Sequence, residues 1–185
     1  MGSSSSTITA WIKRPSTLTQ AASAGIVFNR GAISSGLHFG NANELRYTWN
    51  NNFFNWNSGL IPPADQWVMV ALVVEPTKAT IYMHDGTTLS SAVNTGTHNP
   101  GMTSGLIHLG RDTNSSSRRF VGAMDDVRLF RRALSQAELL ALVNGGPAET
   151  PTPFDAAAGV ENTTLSWQAD PQTTQHQVFV GTNAA

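Results

Sequence analysis

Short runs of alternating apolar and polar residues dominate residues 7–130. The first run, Thr7–Lys13, reads Thr-Ile-Thr-Ala-Trp-Ile-Lys, which is the alternation of a half-buried strand. Similar runs follow, separated by clusters of Gly, Ser and Asn that are typical of turns. We predict strands there, at residues 26–30, 36–40, 44–49, 79–84 and 106–112.

The segment 66–74, Gln-Trp-Val-Met-Val-Ala-Leu-Val-Val, differs from these runs because its apolar residues occupy both odd- and even-numbered positions. A strand with one solvated face would carry polar residues at every second position. The segment is therefore predicted to be a central strand whose two faces are both covered.

The stretch 120–130 changes its inward parity within one strand. The apolar residues Phe120 and Met124 stand at even-numbered positions, whereas Val127 and Leu129 stand at odd-numbered ones. The set of positions that faces the core therefore changes at the adjacent acids 125–126. A β-bulge inserts one residue and produces this change of phase. The pattern predicts a strand that is bent at two carboxylates.

A short helix should follow this strand. Ser135 and Glu138 have the spacing of a capping box, and Leu134 and Leu139 occupy the positions of a hydrophobic staple. The helix is predicted to begin at Gln136 and to run over 136–143, because glycines and Pro147 then end it.

Composition narrows the class of protein. Charged residues make up 12% of the chain, the formal net charge is -1, and cysteine is absent. This balance indicates neither nucleic acid nor an anionic membrane as a partner. Disulfides and thiolate metal sites are excluded, and no segment approaches the length of about 20 apolar residues that a membrane span needs. The composition is that of an all-β sandwich.

The stretch 120–138 resembles the closing motif of laminin-G-like jelly-roll domains, in the concanavalin A-like lectin and glucanase superfamily. The matching residues are Phe120, Gly122, Met124, Asp125, Asp126, Val127, Arg128, Phe130, Arg132, Ala133, Leu134, Ser135 and Glu138. The resemblance implies a concanavalin A-like jelly-roll β-sandwich over residues 7–146. It also implies a non-catalytic recognition module of an extracellular or cell-surface multidomain protein, with a carbohydrate or another surface ligand as its partner.

The ends of the chain depart from this family pattern. Residues 1–6 look like a leader, a tag or a polar linker, and the family's usual first strand has no counterpart before Thr7. A Pro-rich linker at 147–153 leads to residues 154–185, which resemble two strands of a fibronectin type III domain. A missing strand leaves an open sheet edge. We expect the C-terminal tail, a neighbour's swapped tail, or edge pairing in a homodimer to cover it.

The loop 50–59 is the candidate ligand-binding site by composition. It combines three large aromatic residues with five asparagines, and Trp49 precedes it. Aromatic faces stack on the C–H groups of sugars, and amides satisfy the hydroxyls. The alternative is a loop that folds its aromatics into a small core of its own. The binding residues predicted here are Arg46, Trp49, Asn52, Phe53, Asn55 and Trp56.

Asp125 and Asp126 are the candidate metal ligands. Calcium takes several oxygen ligands, commonly carboxylates together with loop carbonyls, and many relatives of this family bind it near the rim of the sheet. In the alternative interpretation, Asp125 caps backbone N–H groups at the bulge while Asp126 pairs with Arg128 or Arg111.

Catalysis has less support in the sequence. The twelve acids contain no pair at i, i+2, the spacing by which related glucanases place their carboxylates on one face, and no nucleophile elbow is present. The alternative function is a metal-dependent hydrolase that uses zinc at His38, His84 and His108 with the two aspartates. A third interpretation is a structural or assembly module.

Overall fold

The structure is a computed structural model that describes residues 5–98 and 106–145. Residues 1–139 form one compact unit. Its strands make two antiparallel sheets. The strands are β1 (Ser6–Lys13), β2 (Gly25–Arg30), β3 (Ser34–Phe39), β4 (Leu45–Thr48), β5 (Val68–Glu75), β6 (Lys78–His84), β7 (Leu89–Thr95), β8 (Ile107–Leu109) and β9 (Ala123–Phe130), and the helix is α1 (Gln136–Gly145).

One sheet has five strands in the order β7-β6-β5-β1-β9, and the other has four in the order β4-β3-β2-β8. One apolar cluster joins the two sheets, as expected for a sandwich. Strands β1, β3, β4, β5 and β6 contribute alternate residues to it, such as Ile8, Ala10 and Ile12 from β1 and Leu45 and Tyr47 from β4. The predicted all-β jelly-roll sandwich is confirmed.

Strand β5 lies at the centre of the five-stranded sheet, between β6 and β1. Val70 and Leu72 belong to the core, and Met69, Ala71 and Val73 on the opposite face are also buried. A strand without polar alternation is therefore covered on both faces, as its sequence predicts.

The predicted bulge lies in β9. Thr9 of β1 faces Arg128 and Trp11 faces Asp125, so the register shifts by one residue between them. Asp126 adopts a φ of 45°, in the left-handed region where an L-residue costs energy. The register shift lets Met124 and Val127 both pack against the core.

Helix α1 begins where the capping box predicts. The Ser135 N–H and Oγ–H donate to Glu138 Oε2, both at 2.8 Å, and the Glu138 N–H donates to Ser135 Oγ at 3.3 Å. These contacts hold the pKa of Glu138 down at about 2, with help from Arg132. Leu134 and Leu139 are both buried, as a hydrophobic staple requires.

Two features differ from, or go beyond, the sequence prediction. Strand β7 was missed because Leu-Ser-Ser-Ala-Val-Asn-Thr is a polar edge strand with weak alternation.

Strand β1 lies directly beside β9, and β9 ends its sheet within the described range. The missing first strand and the homodimer stay predictions, and the linker and the fibronectin-like segment lie outside the described residues. Among the residues that the structure describes, no helix is long and apolar enough to span a membrane.

Candidate ligand-binding site

The outer face of the four-stranded sheet carries the candidate site. Leu37, Phe39 and Tyr47 point into the core, so His38 and Thr48, at the intervening positions, point outward. Phe28 lies on this face too, with its ring edge-on to His38 at 5.8 Å between centroids. The outer face therefore combines an aromatic ring with hydrogen-bonding groups.

A glycine opens this face. Gly36 lies opposite Phe28 on the neighbouring strand, and a Cβ at Gly36 would lie 2.7 Å from the Phe28 ring carbon Cδ2. It would lie still closer to the Val27 carbonyl oxygen, so any larger residue would displace both the ring and the neighbouring strand. Gly36 thus leaves room for the Phe28 ring, which is part of the floor of the site.

A cavity of about 260 Å³ lies over this floor. Its walls include the polar side chains of Ser34, Thr48 and Asn51 and the aromatic ring of Phe54. Charged groups complete the lining: Arg30, Asp112 and Arg118. Small-molecule sites typically pair an apolar surface with a few placed polar groups, and this cavity has that composition.

The loop after β4 places Phe54 at the cavity. Phe53 has a φ of 69°, an unfavourable conformation for a bulky residue. Its ring points inward, stacked on His98 at 4.3 Å and on Tyr47 at 5.7 Å. The next residue, Phe54, consequently points outward, and 54% of it is exposed.

Asparagine 51 anchors this loop to the start of β3. Its Oδ1 accepts from the Ser34 N–H at 2.7 Å, and its own N–H donates to the Ser34 carbonyl at 3.0 Å. Asn50 and Asn51 both have positive φ, which asparagine tolerates better than other non-glycine residues. The asparagine-rich sequence therefore serves the turn itself as well as the cavity.

A buried carboxylate organises the charged wall. Asp112 is 1% exposed, and Arg30 binds it with two bonds, Nε to Oδ1 at 2.8 Å and Nη2 to Oδ2 at 2.6 Å. Arg118 Nη1 donates to Oδ2 at 2.8 Å. Burial alone would raise the pKa of Asp112, but the bonds from Arg30, the Asn114 N–H and Arg118 outweigh burial and lower it.

Histidine 38 is held neutral beneath the cavity. Its Nδ1 lies 3.0 Å from the Phe39 carbonyl oxygen, and its Nε2 lies 3.1 Å from Thr48 Oγ1. Burial lowers its pKa, and the bond to the Phe39 carbonyl only partly opposes this. Both ring nitrogens of His38 thus have hydrogen-bond partners. Because the ring is uncharged, it adds nothing to the positive charge of the arginines.

The cavity takes Asn51 and Phe54 from the predicted loop, but most of the residues predicted to bind a ligand face elsewhere. Trp49 is fully buried in the core, and Phe53 and Trp56 pack against it, so the ring of Trp49 is not available to a ligand. Arg46 pairs with Glu44 Oε1 at 2.5 Å. Asn52 and Asn55 are exposed, but neither lines the cavity.

Alternation within β4 carried the signal that would have found this arrangement. Leu45, Tyr47 and Trp49 share one parity, and the apolar character of the first two assigns that parity to the core. Phe54 had no comparable signal, because its exposure follows from the left-handed turn at Phe53.

The two adjacent acids lie at the bulge of β9. Asp125 Oδ1 accepts from the Asp126 N–H at 2.7 Å, and Arg128 Nε donates to Asp126 Oδ1 at 2.6 Å. These are the contacts of the non-metal interpretation, with Arg128 as the partner of Asp126. Calcium binding at this pair stays a prediction.

The three histidines of the hydrolase alternative do not meet. His38 and His108 belong to the four-stranded sheet, whereas His84 ends β6 in the five-stranded sheet, where its Nδ1 accepts from the Gly86 N–H at 3.1 Å. Among the described residues, no group of three or more His, Asp or Glu side chains is placed to hold a metal ion. The zinc site built on these three histidines is therefore not formed.

A second buried histidine ties the sandwich together. His98 Nδ1 lies 2.8 Å from the Gly96 carbonyl oxygen, and its Nε2 lies 2.8 Å from Tyr47 Oη. Asn94 Nδ2 donates to Tyr47 Oη at 2.8 Å. Burial lowers the pKa of His98 and raises that of Tyr47 to about 12. Both groups are neutral near pH 7.

The buried neutral histidines predict a pH dependence of stability. Because the folded-state pKa values of His38 and His98 are lowered, the unfolded chain binds more protons once the pH falls below about 6.5. Stability is therefore complete above that pH and is lost as the pH falls. The urea midpoint should be lower at pH 5.5 than at pH 7.5. Carboxylates with lowered pKa values act only at more acidic pH.

Two matched variants show which histidine causes the pH dependence of stability. His98→Gln should reduce the difference between the two midpoints, whereas His108→Gln, at a partly exposed position of β8, should leave it unchanged. Equal wild-type midpoints at the two pH values would contradict the prediction.

The fold and the cavity together define a class of protein. Two antiparallel sheets around one core form a sandwich of the lectin-like jelly-roll type. The chain belongs to the concanavalin A-like lectin/glucanases superfamily, whose family model matches residues 1–140.

Solved structures share the fold at low sequence identity. Domain 4 of AbnA, an extracellular arabinanase from Geobacillus stearothermophilus solved in complex with arabinotriose, is 20% identical with a TM-score of 0.55, and the match covers 77% of this chain and 68% of that one. A Trypanosoma rangeli sialidase is 15% identical with a TM-score of 0.52, covering 73% of this chain but only 22% of the sialidase. Comparison with curated protein sequences gave no match.

Proposed function

We propose that the protein is a non-catalytic carbohydrate-recognition module and that the outer-face cavity is its binding site. The observation that carries this proposal is the Phe54 ring, 54% exposed at a cavity lined by hydroxyl, amide and guanidinium groups. An exposed aromatic ring beside hydrogen-bonding groups suits the apolar face of a sugar ring.

The size of the cavity suits a small ligand or one unit of a chain. At about 260 Å³ it lies below the range of about 300–1,000 Å³ that is usual for drug-sized ligands. A sugar unit in the cavity would stack on Phe54, and Asn51 and Ser34 would orient its hydroxyls. The rest of an oligosaccharide would extend over the sheet.

Similarity to other proteins supports a sugar ligand without specifying it. The arabinanase domain was solved with arabinotriose, so a module of this fold is known with a bound oligosaccharide. The family resemblance also supports an extracellular or cell-surface location.

Phe54→Ala tests the proposal. Loss of the stacking surface should weaken oligosaccharide binding by about tenfold or more, which corresponds to about 1.4 kcal/mol. The free energy of unfolding should change by less than about 0.5 kcal/mol, because the side chain is exposed. The wild type is first screened on a glycan array, and the neutral and acidic oligosaccharides that bind are then titrated by calorimetry.

The matched control is Val93→Ala, which removes a side chain of similar exposure from β7 in the other sheet. It should leave binding intact. Undiminished binding by Phe54→Ala would refute the site. A silent glycan array together with a concentration-dependent dimer in sedimentation would favour the assembly module instead.

A further inference from the structure

We infer that the cavity selects acidic saccharides, sugar units that carry a carboxylate, over neutral ones, and that Arg118 is the residue that reads the acid. This inference rests on the proposed function and adds the class of ligand to it.

Asp112 is the only carboxylate among the described residues that line the cavity, and its acceptor positions are all occupied. Asp112 Oδ1 accepts from Arg30 Nε at 2.8 Å and from the Asn114 N–H at 3.0 Å, and Oδ2 accepts from Arg30 Nη2 at 2.6 Å and Arg118 Nη1 at 2.8 Å. A carboxylate has about four acceptor positions. Asp112 therefore has none left for the hydroxyl of a neutral sugar, which lectin sites commonly bind through an acceptor.

The second step is the unused donor capacity of Arg118. A guanidinium has five N–H donors, and Asp112 takes one from Arg118 at Nη1. The side chain is 30% exposed and lines the cavity. Arg30 is more committed, because its Nη1 also donates to Ser34 Oγ at 3.1 Å and its guanidinium lies 5.1 Å from the Phe28 ring centroid. The fork of a guanidinium matches the two oxygens of a carboxylate.

The third step is the sign of the local charge. Two guanidiniums and one carboxylate leave the cavity at +1, because burial keeps His38 neutral. Residues 110–119 carry three arginines and one aspartate, so this segment is at +2 while the whole chain is at -1. Positive charge is thus concentrated beside the cavity, and it favours an anionic ligand at close range.

The test compares acidic oligosaccharides with their neutral forms. Oligosaccharides of galacturonate and glucuronate are titrated into the full chain beside the same molecules after reduction of their carboxyl groups. The acidic forms should bind at least tenfold more tightly, and the difference should shrink at high salt because screening weakens the added interaction. Equal affinity of the two forms would overturn the inference. So would tighter binding of sulfated neutral oligosaccharides than of the carboxylated ones.

Neighbouring arginines provide the variants. Arg118→Gln should abolish the preference for the acidic form, whereas Arg119→Gln makes the same change of charge at an exposed position outside the cavity lining and should keep it. Arg118→Lys keeps the charge without the fork and should retain only part of the preference, which covers the case in which Arg118→Gln does not fold. A preference that survives in folded Arg118→Gln would contradict the role of Arg118.

The outcomes separate this inference from the proposed function. If both forms bind equally and Phe54→Ala abolishes the binding of both, the carbohydrate site stands and acid selection fails. If no oligosaccharide binds the wild type, the proposed function fails first.

Discussion

Replacement of Trp49 by alanine is expected to lower the free energy of unfolding by about 4 kcal/mol. Trp49 is fully buried in the core, at the position where β4 leads into the aromatic loop. Removal of its indole deletes a large apolar surface and leaves a cavity that a β-sandwich cannot close fully, because the backbone of both sheets is fixed by hydrogen bonds. Urea denaturation followed by tryptophan fluorescence or circular dichroism measures the loss.

Phe54→Ala is the natural comparison, since the two aromatic residues lie five positions apart in one segment. Trp49→Ala should lower the stability and affect binding only through unfolding. Phe54→Ala should lose binding and keep its stability. A Trp49→Ala protein of near-wild-type stability would place the indole outside the core and would return it to the set of candidate ligand contacts.

These two aromatics show where sequence pattern stops being informative. The alternation in β4 assigns Leu45, Tyr47 and Trp49 to one face, so the burial of Trp49 could be predicted. The orientation of Phe53 and Phe54 could not, because it depends on a left-handed residue at φ 69° that no local pattern requires. Composition alone made the loop a binding candidate and could not separate its core residues from its exposed one.

Local chemistry explains which other predictions succeeded. The helix start at Gln136 and the bulge at Asp125–Asp126 both follow from residues at most nine positions apart, and both are confirmed. The charged wall of the cavity is different in kind. Arg30 and Asp112 are 82 positions apart, and only the pairing of β2 with β8 brings them together. No spacing rule in the sequence joins such residues.

Asp112→Asn is expected to cost about 3 kcal/mol of unfolding free energy, at the low end for breaking a buried ion pair by removing one partner. The asparagine has nearly the same shape, so packing is preserved, but the charge that holds both arginines is lost. The low end applies because the arginine side chains are 28% and 30% exposed and regain some hydration. Urea denaturation gives the value.

Glu75→Gln is the control for this measurement. It breaks the exposed i, i+3 pair of Glu75 and Lys78, whose side chains are 34% and 45% exposed, and exposed pairs typically contribute about 0.2–1 kcal/mol. A comparable loss in the two variants would show that the Asp112 cluster is no stronger than a surface pair.

The same Asp112→Asn variant separates the structural role of the cluster from its role toward a ligand. Removal of the carboxylate raises the local charge from +1 to +2 and releases the Arg118 N–H that Asp112 occupied. Under conditions where the variant remains folded, its affinity for an acidic oligosaccharide should therefore rise while its stability falls. Calorimetric titration at low temperature measures the affinity. A parallel fall in both quantities would mean that Asp112 acts by orienting Arg118, because a correctly aimed fork then outweighs the added charge.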